Sequence, residues 1–171
     1  MDSRDAVAQR VDPPGTEPLH DAATGLLGRA AWDALLVAES SRCARYGRTT
    51  TVVFVEVAVA EETGAVWGDQ VETRAATRMA DELARQSRTS DLVSRLGPRR
   101  FGILLPETSE VAAVNYIERV REACEGVLRG AGSTGELRFG WADANRTRTL
   151  LAAADIALDR LEADGAGDEG S

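Results

Sequence analysis

Two neighbouring guanidinium groups, Arg99 and Arg100, follow Gly97-Pro98, and one carboxylate, Glu56, is the single charge in the β-branched apolar stretch Thr49–Val59. A pair of arginines can hold a phosphate without a metal, because each offers a planar fork of N–H donors. The plainer reading is two solvated side chains on a loop tip. Upstream, Arg88-Thr89-Ser90-Asp91 places a forked donor just ahead of a carboxylate. Local chemistry alone would have Arg88 cap the carbonyls of a preceding helix and Asp91 pair with a nearby arginine. Asp69 precedes an amphipathic run and suits an N-cap. Cys43, Cys124 and the single His20 lie far apart, without metal-ligand spacing. The cysteines therefore read as small core residues in a reducing compartment.

Such groups need rigid carriers. Leu92–Arg95 and Phe101–Pro106 are apolar on either side of the Gly97-Pro98 break and lack helical spacing, which predicts a β-hairpin. Gly97 supplies a free φ and Pro98 fixes the next at about −65°, so the turn is chemically specified. Thr49–Val59 predicts a buried central strand, and Leu137, Phe139 and Trp141 alternate along a further strand over Glu136–Ala142. One helix is expected with Trp32, Leu35, Leu36 and Cys43 on a common face. A second carries Val71, Ala75, Met79 and Leu83 at i+4 spacing and ends near Ser87. A third turns Val111, Val114, Ile117, Val120, Cys124 and Val127 inward and puts Arg119 and Arg121 toward its polar side. The last, Thr147–Leu161, has Leu150, Ala154, Ala157, Leu158 and Leu161 as its stripe. Val53, Val55, Val57, Met79, Leu83, Ile103, Leu105, Ile117, Val120 and Leu158 form the expected core.

The 171 residues suit one domain, and 43% hydrophobic with 28% charged content is ordinary for a globular chain. A formal net charge of −8 leaves no basic excess to neutralise a polyanion, so DNA and RNA are not expected partners. A discrete mononucleotide or dinucleotide site stays open. No segment has the apolar length of a membrane span and the first residues lack a signal peptide's apolar stretch, so a cytoplasmic location is expected. Residues 1–18 show no periodicity and contain Pro13-Pro14-Gly15, which predicts a flexible leader; residues 165–171 predict a disordered acidic tail.

Four motifs recur in a familiar order: Asp21 to Arg29 with Thr24-Gly25-Leu26, Gly64 to Asp69, the turn Gly97-Pro98-Arg99-Arg100-Phe101, and Ala154-Asp155-Ile156-Ala157-Leu158. Together they resemble the GGDEF family, the diguanylate cyclases that condense GTP into cyclic di-GMP. The resemblance implies an α+β domain over residues 19–164, with a central, mostly antiparallel sheet flanked by helices, as in nucleotide cyclase cores. In the family the turn reads Gly-Gly-Asp/Glu-Glu-Phe, and paired strand aspartates join its carboxylate to hold magnesium. Here Glu56 and Ala58 stand for the strand pair, and Pro98, Arg99 and Arg100 replace the second glycine and both acids. Asp69 matches a guanine-binding aspartate of relatives. These replacements imply a degenerate member, not an enzyme, with no magnesium site, because phosphoryl transfer needs clustered charge that acts as a unit.

Arg88 and Asp91 match the family's inhibitory motif, Arg-x-x-Asp, where relatives bind cyclic di-GMP, and Arg119 matches an arginine on the following helix that completes or cross-links that site. An arginine can donate twice to guanine O6 and N7, while a carboxylate accepts from the N1–H and N2 edge. The leading expectation is a bacterial signalling domain that acts as a cyclic di-GMP receptor through these three residues. The alternative is a nucleotide-independent pseudoenzyme that forms a homodimer, or a heterodimer with another signalling protein. Residual GTP binding or cyclase activity stands behind both.

Overall fold

The computed structural model describes residues 18–58, 69–130 and 135–166. The elements run α1 (Arg29–Tyr46), β1 (Thr50–Ala58), α2 (Asp69–Gln86), β2 (Leu92–Arg95), β3 (Arg100–Pro106), α3 (Glu110–Gly130), β4 (Glu136–Ala144) and α4 (Leu150–Ala166). The strands form one sheet in the order β2-β3-β1-β4, and every pairing is antiparallel. From β1 to β4 the chain thus follows a β-α-β-β-α-β path, the split arrangement of ferredoxin-like sheets. The expected fold class holds.

Helices cover both faces of the sheet, which is why β1 runs apolar from Val52 to Val55 instead of alternating with polar residues. Val53, Val55 and Val57 point to one side and join Ile103 and Leu105, Met79 and Leu83 of α2, and Ile117 and Val120 of α3. Val52 and Phe54 point to the other, with Leu104, Trp32 of α1, and Leu150, Ala157 and Leu161 of α4. Close approach of α4 is possible because position 140 lacks a side chain: a Cβ there would lie 2.0 Å from the Ala157 carbonyl oxygen and 2.5 Å from Leu161 N.

Some sequence expectations need correction. Val111 and Val114 face solvent, at 82% and 40% exposure, while Ala113, Tyr116 and Leu128 are buried. The inward stripe of α3 starts at a small residue, so counting only large aliphatic residues sets the phase wrongly for the first turn. Leu158 is half-buried at the margin of the α1–α4 side. Helix α4 starts at Leu150, three residues late, because Thr147 and Arg148 are held in a turn by Asn145. It also continues to Ala166, so the expected boundary at residue 164 falls inside a helix. The Asp164 carboxylate accepts the Phe139 N–H at 3.2 Å, which ties that last turn to β4. The leader over residues 1–17 and the tail from 167 lie outside the described residues.

Both outer strands have partners for several of their free backbone groups. Beside β2, Leu27 bridges Ser94 and its carbonyl accepts the Arg95 N–H at 2.8 Å. On β4, the carbonyls of Leu137, Trp141 and Asp143 accept from Arg121, Arg160 and Arg148, in addition to the Asp164 contact.

Candidate functional site

The β2–β3 turn is positioned from outside by Arg95. Its Nε donates to the Gly97 carbonyl at 3.2 Å and its Nη2 to the Pro98 carbonyl at 3.1 Å, while Nη1 pairs with Asp21 at 3.2 Å. Asp21 is itself fixed by a local turn, accepting both the backbone N–H and the hydroxyl of Thr24 at 2.8 and 2.7 Å, with Gly25 in the left-handed region at φ +73°. Burial raises the Asp21 pKa, but the bonds from Thr24 and Arg95 outweigh it and hold the carboxyl below its ordinary value. Arg95 was not singled out from sequence. The signal for it was an arginine at a strand end beside a Gly-Pro turn.

Each turn arginine meets a carboxylate, although Arg99 stays exposed. Arg100 is the first residue of β3 and lies opposite Glu56 in the ladder, and its Nε and Nη2 both reach Glu56 Oε2 at 2.6 Å. Cross-strand opposition brings the two side chains together without any bend in the chain. Arg99 points to α2, 3.6 Å from Glu72 Oε1, and its carbonyl accepts the Val57 N–H at 3.0 Å. The Arg100 guanidinium thus lies against Glu56, and Ala58 has no side-chain oxygen to offer a cation. Among the described residues, no group of three or more His, Cys, Asp or Glu side chains could hold a metal. Helix α2 begins at Asp69, but that side chain and the Gly64–Gly68 segment lie outside the described residues.

At the other end of β2, about 13 Å away for four residues of strand, sit Arg88 and Asp91. The Asp91 carboxylate accepts the Arg88 backbone N–H at 2.7 Å and its own N–H donates to the Arg88 carbonyl at 3.0 Å, closing a tight turn. The Arg88 side chain is exposed and has no partner among the described residues. Arg119 comes to the same corner from α3: Nε donates to Gln86 Oε1 at 3.0 Å and Nη2 to the Gln86 carbonyl at 3.1 Å. Beneath it lies the Tyr116 ring, 5.5 Å from the guanidinium carbon. The Tyr116 hydroxyl is 2.9 Å from Ser87 Oγ, and its charge interaction with Asp91 is felt in its acidity. The chain therefore brings Arg88, Asp91 and Arg119 to one surface. Neither local alternative from sequence occurs, since Arg119, not Arg88, caps α2 and Asp91 turns to backbone, not to an arginine. Gln86, Ser87 and Tyr116 were missed as supports, because their roles depend on the α2–α3 packing.

The family model described as "Diguanylate cyclase, GGDEF domain" matches residues 18–168. The chain belongs to the GGDEF family. Among curated relatives, this GGDEF domain is 26% identical over 102 residues to "Probable diguanylate cyclase DgcC" of Escherichia coli K12, covering 60% of the chain and 28% of that protein. It is 32% identical over 109 residues to "Diguanylate cyclase DgcP" of Pseudomonas aeruginosa, covering 61% of the chain and 16% of that protein. It thus spans less than a third of either relative. Among solved structures, the GGDEF domain of DgcB from Caulobacter crescentus in complex with c-di-GMP superposes with a TM-score of 0.76 at 16% identity, covering 90% of this chain and 93% of that one. These findings correct the expectation that the chain is not an enzyme: its family is described by a cyclase activity, and both curated relatives carry that activity in their names. Among the described residues, no helix is long and apolar enough to cross a membrane.

Proposed function

We propose that this GGDEF domain binds cyclic di-GMP at the surface formed by Arg88, Asp91 and Arg119. The observation that carries the reading is the Arg88 guanidinium, exposed and without a described partner, on a turn that Asp91 closes beside a second arginine. The Arg88 fork addresses the O6 and N7 edge of a guanine, and Asp91 Oδ1 is left to accept from the N1–H and N2 side. Arg119 supplies the second cation for a dianionic ligand. The net charge of −8 does not oppose this, because carboxylates beyond about 8 Å are screened while the arginines are local. A solved relative of the same fold, holding c-di-GMP, supports the choice of ligand.

Titration calorimetry with cyclic di-GMP tests the proposal. Wild type should bind, and Arg88→Ala should lose about ten- to a hundredfold in affinity, the worth of one forked guanine contact. Arg99→Ala with Arg100→Ala should bind as wild type does. Equal binding by Arg88→Ala, or loss confined to the turn variant, would move the ligand elsewhere.

A further inference from the structure

We infer that Gln86 is a positioning residue for Arg119, holding it so that the outer fork of its guanidinium stays open to the ligand; this rests on the cyclic di-GMP reading. Gln86 is the last residue of α2, where helix carbonyls have no further N–H groups to receive. Arg119 supplies that donor, and its two bonds to Gln86 use Nε and Nη2. These two atoms form one side of the guanidinium plane. Nη1 and the second N–H of Nη2, at the outer end of the group, have no partner among the described residues, so that end can form a forked contact with guanine or phosphate.

The orientation of Gln86 is itself determined. Its Nε2 donates to Glu82 Oε1 at 2.7 Å, and that buried carboxylate also pairs with Arg85 Nη1 at 2.7 Å. A carboxylate only accepts and a guanidinium only donates, so the amide must turn its nitrogen to Glu82 and its oxygen to Arg119. A second support lies underneath. Ser87 Oγ donates to the Leu83 carbonyl at 2.7 Å, which leaves Tyr116 as donor to Ser87 and fixes the ring below the guanidinium. An exposed arginine normally loses much rotamer freedom on binding; one already held loses less and binds more tightly. Competition between Gln86 and the ligand is the opposite expectation, and the use of different guanidinium edges argues against it.

The test is a double-mutant cycle in cyclic di-GMP calorimetry with wild type, Gln86→Ala, Arg119→Ala and the double variant. Gln86→Ala should weaken binding by about three- to tenfold, and the same change should have no effect once Arg119 is alanine. A loss that persists undiminished in the Arg119→Ala background marks a merely structural role and overturns the inference, as does equal or tighter binding by Gln86→Ala. If wild type itself fails to bind, the ligand reading falls and this inference with it. In the free protein, the Arg119 Nε–H should show a slowly exchanging resonance that Gln86→Ala abolishes. Rapid exchange in wild type would count against the clamp irrespective of ligand.

Discussion

Arg95 holds more of the hairpin in place than any residue singled out for chemistry. Its side chain is 12% exposed and that of Asp21 is 25% exposed, so removing the guanidinium strands a half-buried carboxylate and two turn carbonyls together. Arg95→Ala should cost about 3 kcal/mol in urea unfolding, the usual penalty for breaking such a pair from one side. The Asp21 pKa is lowered on folding, so its contribution exists above the ordinary carboxylate pKa and vanishes as pH falls through the folded value. Asp21→Asn should therefore be less stable than wild type at pH 7, with the gap closing in strongly acidic solution; a gap independent of pH would refute that assignment. At this scale the sequence was half legible. Arg88, Asp91 and Arg119 could be named because motif positions survive in the letters. The partners of Arg99 and Arg100 could not, because Glu72 and Glu56 meet them only after β1, β3 and α2 pack.

Strands and helices were easier to read than the bonds between them, since β1 and β3 are long apolar runs, β4 alternates, and Gly-Pro or Gly-rich segments break the pattern between them. Where reading failed, small residues were responsible. Ala113 hid the true face of α3, and Gly140 gave no hint that α4 packs directly onto β4. Gly140→Ala should force those two elements apart and cost about 3 kcal/mol, lowering the melting temperature by about 6–12 °C. Helix α3 also carries two groups that resist ionisation. Burial, aided by Glu82, lifts the Cys124 thiol from 9.0 to about 12. Burial, reinforced by Asp91 and opposed by Ser87 and Arg119, lifts the Tyr116 hydroxyl from 10.0 to about 12. Both folded values are raised, so stability is intact below about pH 9 and falls between pH 9 and 12, as the unfolded chain releases protons that the folded one keeps. Cys124→Ala combined with Tyr116→Phe should flatten that alkaline slope; an unchanged slope would mean that other groups drive it.

For the molecule as a whole, a sheet closed on both faces still has two rims, and here side chains finish the outer one. Arg121, Arg148, Arg160 and Asp164 each take a backbone group of β4, while Leu27 lies along β2. A rim with several of its hydrogen-bonding groups already engaged offers a poorer template to a neighbouring copy. The colloidal behaviour of the domain should consequently depend on single ionic residues and not on its hydrophobic content. Arg160→Ala with Asp164→Ala should leave the β-sheet content of the fold intact yet make light scattering rise with concentration and bring on binding of an amyloid dye during storage. A variant that stays monodisperse would show that α4 itself shields the rim. Part of this protection, from Arg160 and Asp164, comes from the closing helix, so a polypeptide folding from its first residue onward would carry a partly unprotected strand until the last turn of α4 had docked.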